Sequence, residues 1–74
     1  MKQFVVTFDT DSISVEYKGV QVIGKDLNDL VEEAGAYVAE DSRDFAVGAV
    51  SAEEFEISQD ILEFVLGLIE HMQA

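Results

Sequence analysis

The chain has 74 residues, with 16 Asp and Glu against 4 Lys and Arg, for a formal net charge of −12. At 49% hydrophobic residues it is too apolar for a disordered acidic tail, and its charge disfavours nucleic acid and anionic membranes as ligands. It has no cysteine, which removes disulfides and thiolate metal sites; a domain this small buries roughly 60% of its unfolded surface and depends on close packing or oligomerisation.

No run of about 18 apolar residues is present, so the sequence offers no membrane span. The start Met1-Lys2-Gln3-Phe4 lacks the pattern of a secretory leader. A single cytoplasmic domain spanning residues 1–74 is the expectation.

Residues 3–8 alternate, with Phe4, Val6 and Phe8 on one face and Gln3, Val5 and Thr7 on the other. That is the period of a half-buried strand. Asp9-Thr10-Asp11-Ser12 is turn chemistry. Ile13, Val15 and Tyr17 then alternate with Ser12, Ser14 and Glu16, predicting a second strand. Lys18-Gly19 suits a two-residue hairpin turn, and Val20 to Ile23 a third strand.

After Gly24, Asp26 is placed to cap a helix with apolar positions Leu27, Leu30, Val31, Ala34 and Val38, running to about Asp41. Gly35 inside it costs roughly 1 kcal/mol relative to alanine, which suggests a close packing contact there. Phe45, Val47 and Ala49 alternate again and predict a fourth strand. Ser51-Ala52-Glu53-Glu54 matches a capping box, with Ser58 as a second candidate cap. The last helix therefore starts near Ala52 or near Gln59. Its apolar residues Ile61, Leu62, Phe64, Val65, Leu66, Leu68, Ile69 and Met72 cover an arc of roughly 200°. This exceeds one core contact, so Leu62, Phe64 or Leu66 is expected to meet a second copy or a partner. The fold expectation is α+β: a small antiparallel sheet, a three-stranded meander plus a fourth strand, packed on two helices in the order β-β-β-α-β-α. Phe4, Val6, Phe8, Ile13, Val15 and Tyr17 are its expected inner face.

The first helix carries the sharpest pattern. At about 100° per residue, Asp26, Asp29, Glu33 and Glu40 fall within roughly 60° of one another, in a row roughly 21 Å long. Tyr37 borders the row and is suited to stack on an arginine. Glu32 lies nearby in sequence, and Glu40-Asp41-Ser42-Arg43-Asp44 adds carboxylates expected just past the helix end. Negative charge there opposes the macrodipole, a local misfit that points toward function. A solvated helix face is the bland alternative, but such faces usually mix signs. Glu53, Glu54 and Glu56 near a helix start are explained by the dipole alone.

Catalytic and metal chemistry find little support. Asp9-Thr10-Asp11 begins like a calcium loop, yet Ile13 and Ser14 occupy the next key positions and Val20 stands where a bidentate glutamate belongs. His71 is the only histidine and lies near a helix end, where a cation is favourable. No serine–histidine–aspartate spacing or phosphate-binding glycine loop is present. The expectation is a non-enzyme with no cofactor and no metal.

Two families frame the function. Acyl carrier proteins are similarly short and acidic, and attach phosphopantetheine to the serine of an Asp-Ser-Leu motif opening a helix. Asp41-Ser42-Arg43 is the nearest match, with arginine in place of leucine, and alternating strands do not suit an all-helical bundle. In length, charge, absent catalytic signature and the Asp26 to Asp44 acidic tract, the chain resembles small acidic inhibitors carried by phages and mobile elements. These include anti-restriction and anti-CRISPR proteins that imitate nucleic acid. That resemblance aligns no family-specific residues. It carries over no site; from the acidic row and tract themselves, Asp26, Asp29, Glu32, Glu33, Tyr37, Glu40, Asp41 and Asp44 are expected to occupy a basic groove on a nucleic-acid-binding protein, such as a nuclease, a CRISPR complex or a polymerase. The alternative is a small acidic subunit or adaptor of a cellular complex, with a carrier-like role third.

Overall fold

The structure, a computed structural model, describes residues 2–73; Met1, the first residue of the amino-terminal stretch above, and Ala74 lie outside the described residues. Strands β1 (Val5–Phe8), β2 (Ile13–Tyr17) and β3 (Val20–Gly24) form an antiparallel meander in the order β1-β2-β3. Val6 pairs with Val15, and Val15 with Val22. Tyr17 pairs with Val20. The period of two therefore puts Phe4, Val6, Ile13, Val15, Tyr17, Val20 and Val22 on one face, where all are buried or half-buried. Lys18 and Gly19 both have positive φ, 50° and 83°, as the tightest hairpin turn requires.

Helices α1 (Leu27–Ala46) and α2 (Ala52–Gln73) cover the inner face of the sheet. They pack against each other; α1 lies on β3 and α2 on β2. Val15, Leu30, Ile61 and Val65 are the largest fully buried apolar side chains, each stabilising the fold by about 1.5–3 kcal/mol. Ile57, Ile61 and Val65 repeat every four residues and form the buried line of α2. The amino-terminal segment is stapled across this core. The Phe4 ring stacks on Tyr17 at 4.3 Å and on Phe64 at 4.2 Å, and Lys2 Nζ sits 3.1 Å from Asp60 Oδ1.

Several expectations need correction. No fourth strand is present among the described residues, so the order is β-β-β-α-α. Helix α1 continues five residues beyond Asp41, to Ala46. It stops because Gly48 adopts φ +80° and closes a Schellman turn: Ala49 N–H donates to Asp44 C=O at 2.8 Å and Gly48 N–H to Phe45 C=O at 3.1 Å. The alternation of Phe45, Val47 and Ala49 thus belongs to a helix end. Helix α2 begins at the earlier of the two candidate sites. Ser51 Oγ accepts the Glu54 N–H at 3.1 Å, whereas Ser58 is buried inside the helix and donates back to Phe55 C=O.

Phe8 is 62% exposed, because the helices lie over β2 and β3 and leave the corner of β1 uncovered. Gly35 meets nothing on which an added Cβ would bear; the close approach is at Gly24, whose Cβ would lie 2.4 Å from Leu30 N. Helix α1 is seated directly on the end of β3 there.

Candidate functional site

The amino-terminal acids of α1 have a local task. Asp26 is the extended N-cap residue, and its Oδ1 accepts the Asp29 N–H at 2.8 Å. Asp29 Oδ2 accepts the Lys25 N–H at 2.8 Å. One orphan donor of the first turn and the Lys25 N–H just before the cap are thereby satisfied by two carboxylates, which also complement the dipole. Fold formation alone accounts for these two members of the acidic row.

Farther along α1 no such task is seen. Glu33, Tyr37, Glu40 and Asp44 share an arc of about 60° at helical spacing. Glu33 and Glu40 are exposed and Asp44 is half-buried. Glu32 is exposed too, but nine residues from Asp41 put the two on opposite sides of the helix, so one flat partner surface does not engage both. Asp41 and Asp44 lie within the helix, not past it, and Asp41 is only 9% exposed. That corrects the expectation that they lie just past the helix end, and the return of α2 beside α1 covers the Asp41 face. Ser42 lies in the last turns of α1, so the Asp41-Ser42-Arg43 tripeptide does not open a helix as the carrier-protein motif would.

The Schellman turn folds α2 back so that its acidic start approaches the end of α1. Phe45 and Phe55 meet across the junction at 5.4 Å. The Tyr37 phenol is pushed up from its ordinary value, first by burial and then by the charges of Asp41, Glu54 and Glu40. The charges of those three carboxylates, from both helices, therefore bear on one phenol. Glu54 belongs to this group although its position near a helix start had explained it away. The signal that would have found it is Gly48, which marks the turn bringing Glu54 to Tyr37.

Cations do not balance this surface. Lys2–Asp60 is the only ion pair among the described residues; the hydrogen bond to Asp60, then its charge, raises the Lys2 ammonium. Arg43, flanked by acids in sequence, forms no ion pair there. Among the described residues, no group of three or more histidine or carboxylate side chains converges as a metal site would require. None of the helices there is long and apolar enough to cross a membrane. His71 is exposed in the last turn of α2.

The three residues expected at an interface differ. Leu62 and Phe64 pack against the core, Phe64 on Phe4. Leu66 is 45% exposed and lies on the opposite side of α2 from Ile57, nine residues earlier. The outer face of the sheet is uncovered, with Val5 and Ile23 exposed.

Comparison with protein families, with curated proteins and with solved structures found no match to this chain.

Proposed function

We propose that the protein is a non-catalytic acidic inhibitor that occupies the nucleic-acid groove of a basic protein. The observation that carries this reading is the unbalanced charge of α1 and the start of α2. Every carboxylate except Asp60 lacks a cationic partner among the described residues, and Glu33, Glu40 and Asp44 share one face of α1 with Tyr37, whose phenol also feels the charge of Glu54 on α2. Self-repulsion makes such a surface unfavourable for the fold. A basic groove supplies the missing counter-charges: its arginines and lysines meet phosphates, and carboxylates offer arginine the same bidentate acceptance. Complementary fields speed encounter and set orientation. Helix-borne carboxylates also lose less entropy on docking than carboxylates on a mobile loop.

A second reading, an acidic adaptor subunit of a larger complex, is favoured by a separate observation. Val5 and Ile23 on the open sheet face and Leu66 on α2 are exposed, and such apolar surface suits a permanent neighbour or a second copy better than a phosphate-binding groove.

Immobilised protein, incubated with extract of its native host, should retain a basic nucleic-acid-binding protein. Replacing Glu33, Glu40 and Asp44 together by lysine should then weaken that complex by at least about a hundredfold. Unchanged affinity would reduce the acidic face to a solvated one.

A further inference from the structure

Strand β1 is an edge of the sheet, whose order is β1-β2-β3, and the register shows which of its backbone groups are free. Asp9 N–H donates to Ser12 C=O at 2.8 Å, and these two residues continue the pairing of Phe8 with Ile13. Along an antiparallel ladder, hydrogen-bonded and non-hydrogen-bonded pairs alternate. Asp9, Thr7 and Val5 therefore bond to β2, whereas the N–H and C=O of Phe8, Val6 and Phe4 point away from it. The other hairpin agrees. Tyr17 and Val20 flank its two-residue turn as a hydrogen-bonded pair, which turns the backbone groups of Glu16 toward β1. Nothing guards this free edge: Val5–Phe8 holds no charge, proline or bulge, the usual devices against edge pairing. Phe8, on the inner face, is 62% exposed, because the helices lie over β2 and β3.

We infer that β1 pairs antiparallel with β1 of a second copy about a two-fold axis at Val6, joining the two three-stranded sheets into one. The free groups recur every second residue. A register centred on Val6 sets Val6 opposite Val6 and Phe4 opposite Phe8 twice, so every outward group from Phe4 to Phe8 gains a partner. A register centred on Thr7 would set Phe4 against Thr10, whose N–H is already taken by Asp9 Oδ1 at 2.8 Å. The two-fold axis is normal to the sheet and keeps both inner faces on one side. The exposed Phe8 ring of each copy then lies beside Phe4 of the other, extending the stack of Phe4 with Tyr17 and Phe64. Charge fits the same register, which sets Lys2 opposite Thr10, between Asp9 and Asp11 of the second copy. The other edge suits a second copy poorly. Strand β3 carries α1, so pairing there would lay two acidic helices side by side. Pairing β1 with β3 would leave an edge open on each copy and grow a filament. Pairing through β1 keeps both acidic α1 faces at the outer flanks, so it stands whether or not those faces occupy a basic groove.

Sedimentation velocity on the full chain tests this, with amide exchange and with nuclear Overhauser contacts in a mixture of isotope-labelled and unlabelled protein. At about 100 µM the wild type should sediment as a dimer, and its Val6 and Phe8 amides should exchange more slowly than at about 1 µM. Contacts between labelled and unlabelled chains should join Val5 Hα to Thr7 Hα, the close non-hydrogen-bonded pair of the Val6-centred register. Phe8→Pro removes an outward N–H and the exposed ring but no bond to β2, and an edge strand tolerates proline at such a position. It should raise the dimer dissociation constant at least about thirtyfold, while dilute protein keeps its circular dichroism spectrum. Phe8→Lys serves the same purpose should the proline variant fail to fold. Leu66→Gln and Ile23→Gln, on the outer helix and sheet surfaces, should leave the constant within about threefold. A strict monomer at the higher concentration overturns the proposal, as does a dimer that survives the Phe8 variants or dissociates with Leu66→Gln or Ile23→Gln. Protection of the β1 amides only in the presence of the captured basic protein also overturns it and gives the edge to that partner.

Discussion

The two ends of the helical pair are built differently. Toward the sheet, α1 buries Leu30 and Ala34 against β3, and α2 buries Ile61 and Val65. Toward the Schellman turn the same faces carry Asp41 on α1 and Ser58 on α2, the two buried polar residues of the described core, while Phe45 and Val47 stay exposed. The sheet end is organised for stability. The turn end gives up packing for charge, holding a carboxylate where a leucine would continue the seam. A domain this small has little stability to spare, so a carboxylate set in the helix seam points to a role for that end outside the fold.

The sheet end should respond most strongly to substitution. Leu30→Ala should lower unfolding free energy by about 2–5 kcal/mol, measured by urea denaturation. A loss well under about 1 kcal/mol would mean that Leu30 is not the keystone its full burial implies. Gly24 and Gly35 sharpen the same point. Gly24→Ala forces a Cβ against the α1 backbone and should destabilise by about 1–3 kcal/mol. Gly35→Ala has open space and should stabilise by up to about 1 kcal/mol. If the two glycines respond alike, α1 is not seated on β3 as described.

These two glycines also show how far the sequence could be read. The second strand was legible because Ile13, Val15 and Tyr17 alternate with polar residues, the first and third from short apolar runs that leave Val5 and Ile23 on the outer face, and the Lys18-Gly19 turn because the tightest hairpins demand positive φ. Cost alone had singled out Gly35 as the packing glycine, but close approach is a tertiary fact, and it falls on Gly24. Phe45, Val47 and Ala49 mimic a strand because three alternating residues cannot be told from the last turn of a helix. Gly48 between them, a helix-stop residue, was the better guide. At the site, Glu33 and Glu40 could be placed on the surface from helical spacing alone. The burial of Asp41 and the approach of Glu54 could not, since both follow from where α2 returns.

At the turn end the expected signs reverse. Asp41→Leu should raise stability by about 1 kcal/mol, because a largely covered residue whose carboxylate has no ion pair is replaced by a side chain that completes the seam. A large loss of stability would show that Asp41 supports the fold. The smallest effect is alkaline. The folded-state Tyr37 phenol is raised by burial and by Asp41, Glu54 and Glu40, so the folded state holds that proton more tightly than the unfolded chain. Its contribution is intact below the ordinary tyrosine value of about 10 and is lost as pH rises through the raised folded value. Between about pH 9 and about pH 11 wild type should therefore lose more stability than Tyr37→Phe. Parallel decline would mean that the carboxylates do not crowd the hydroxyl.

Competition at the partner's own groove decides whether this chain replaces nucleic acid there. The captured basic protein is loaded with its duplex or guide nucleic acid, and the acidic chain is titrated in while bound nucleic acid is followed by fluorescence anisotropy. Occupation of the groove predicts complete displacement, with an apparent affinity that weakens in proportion to added nucleic acid. A ternary complex, in which the partner keeps its nucleic acid while saturated with this chain, would contradict it and make the protein an adaptor.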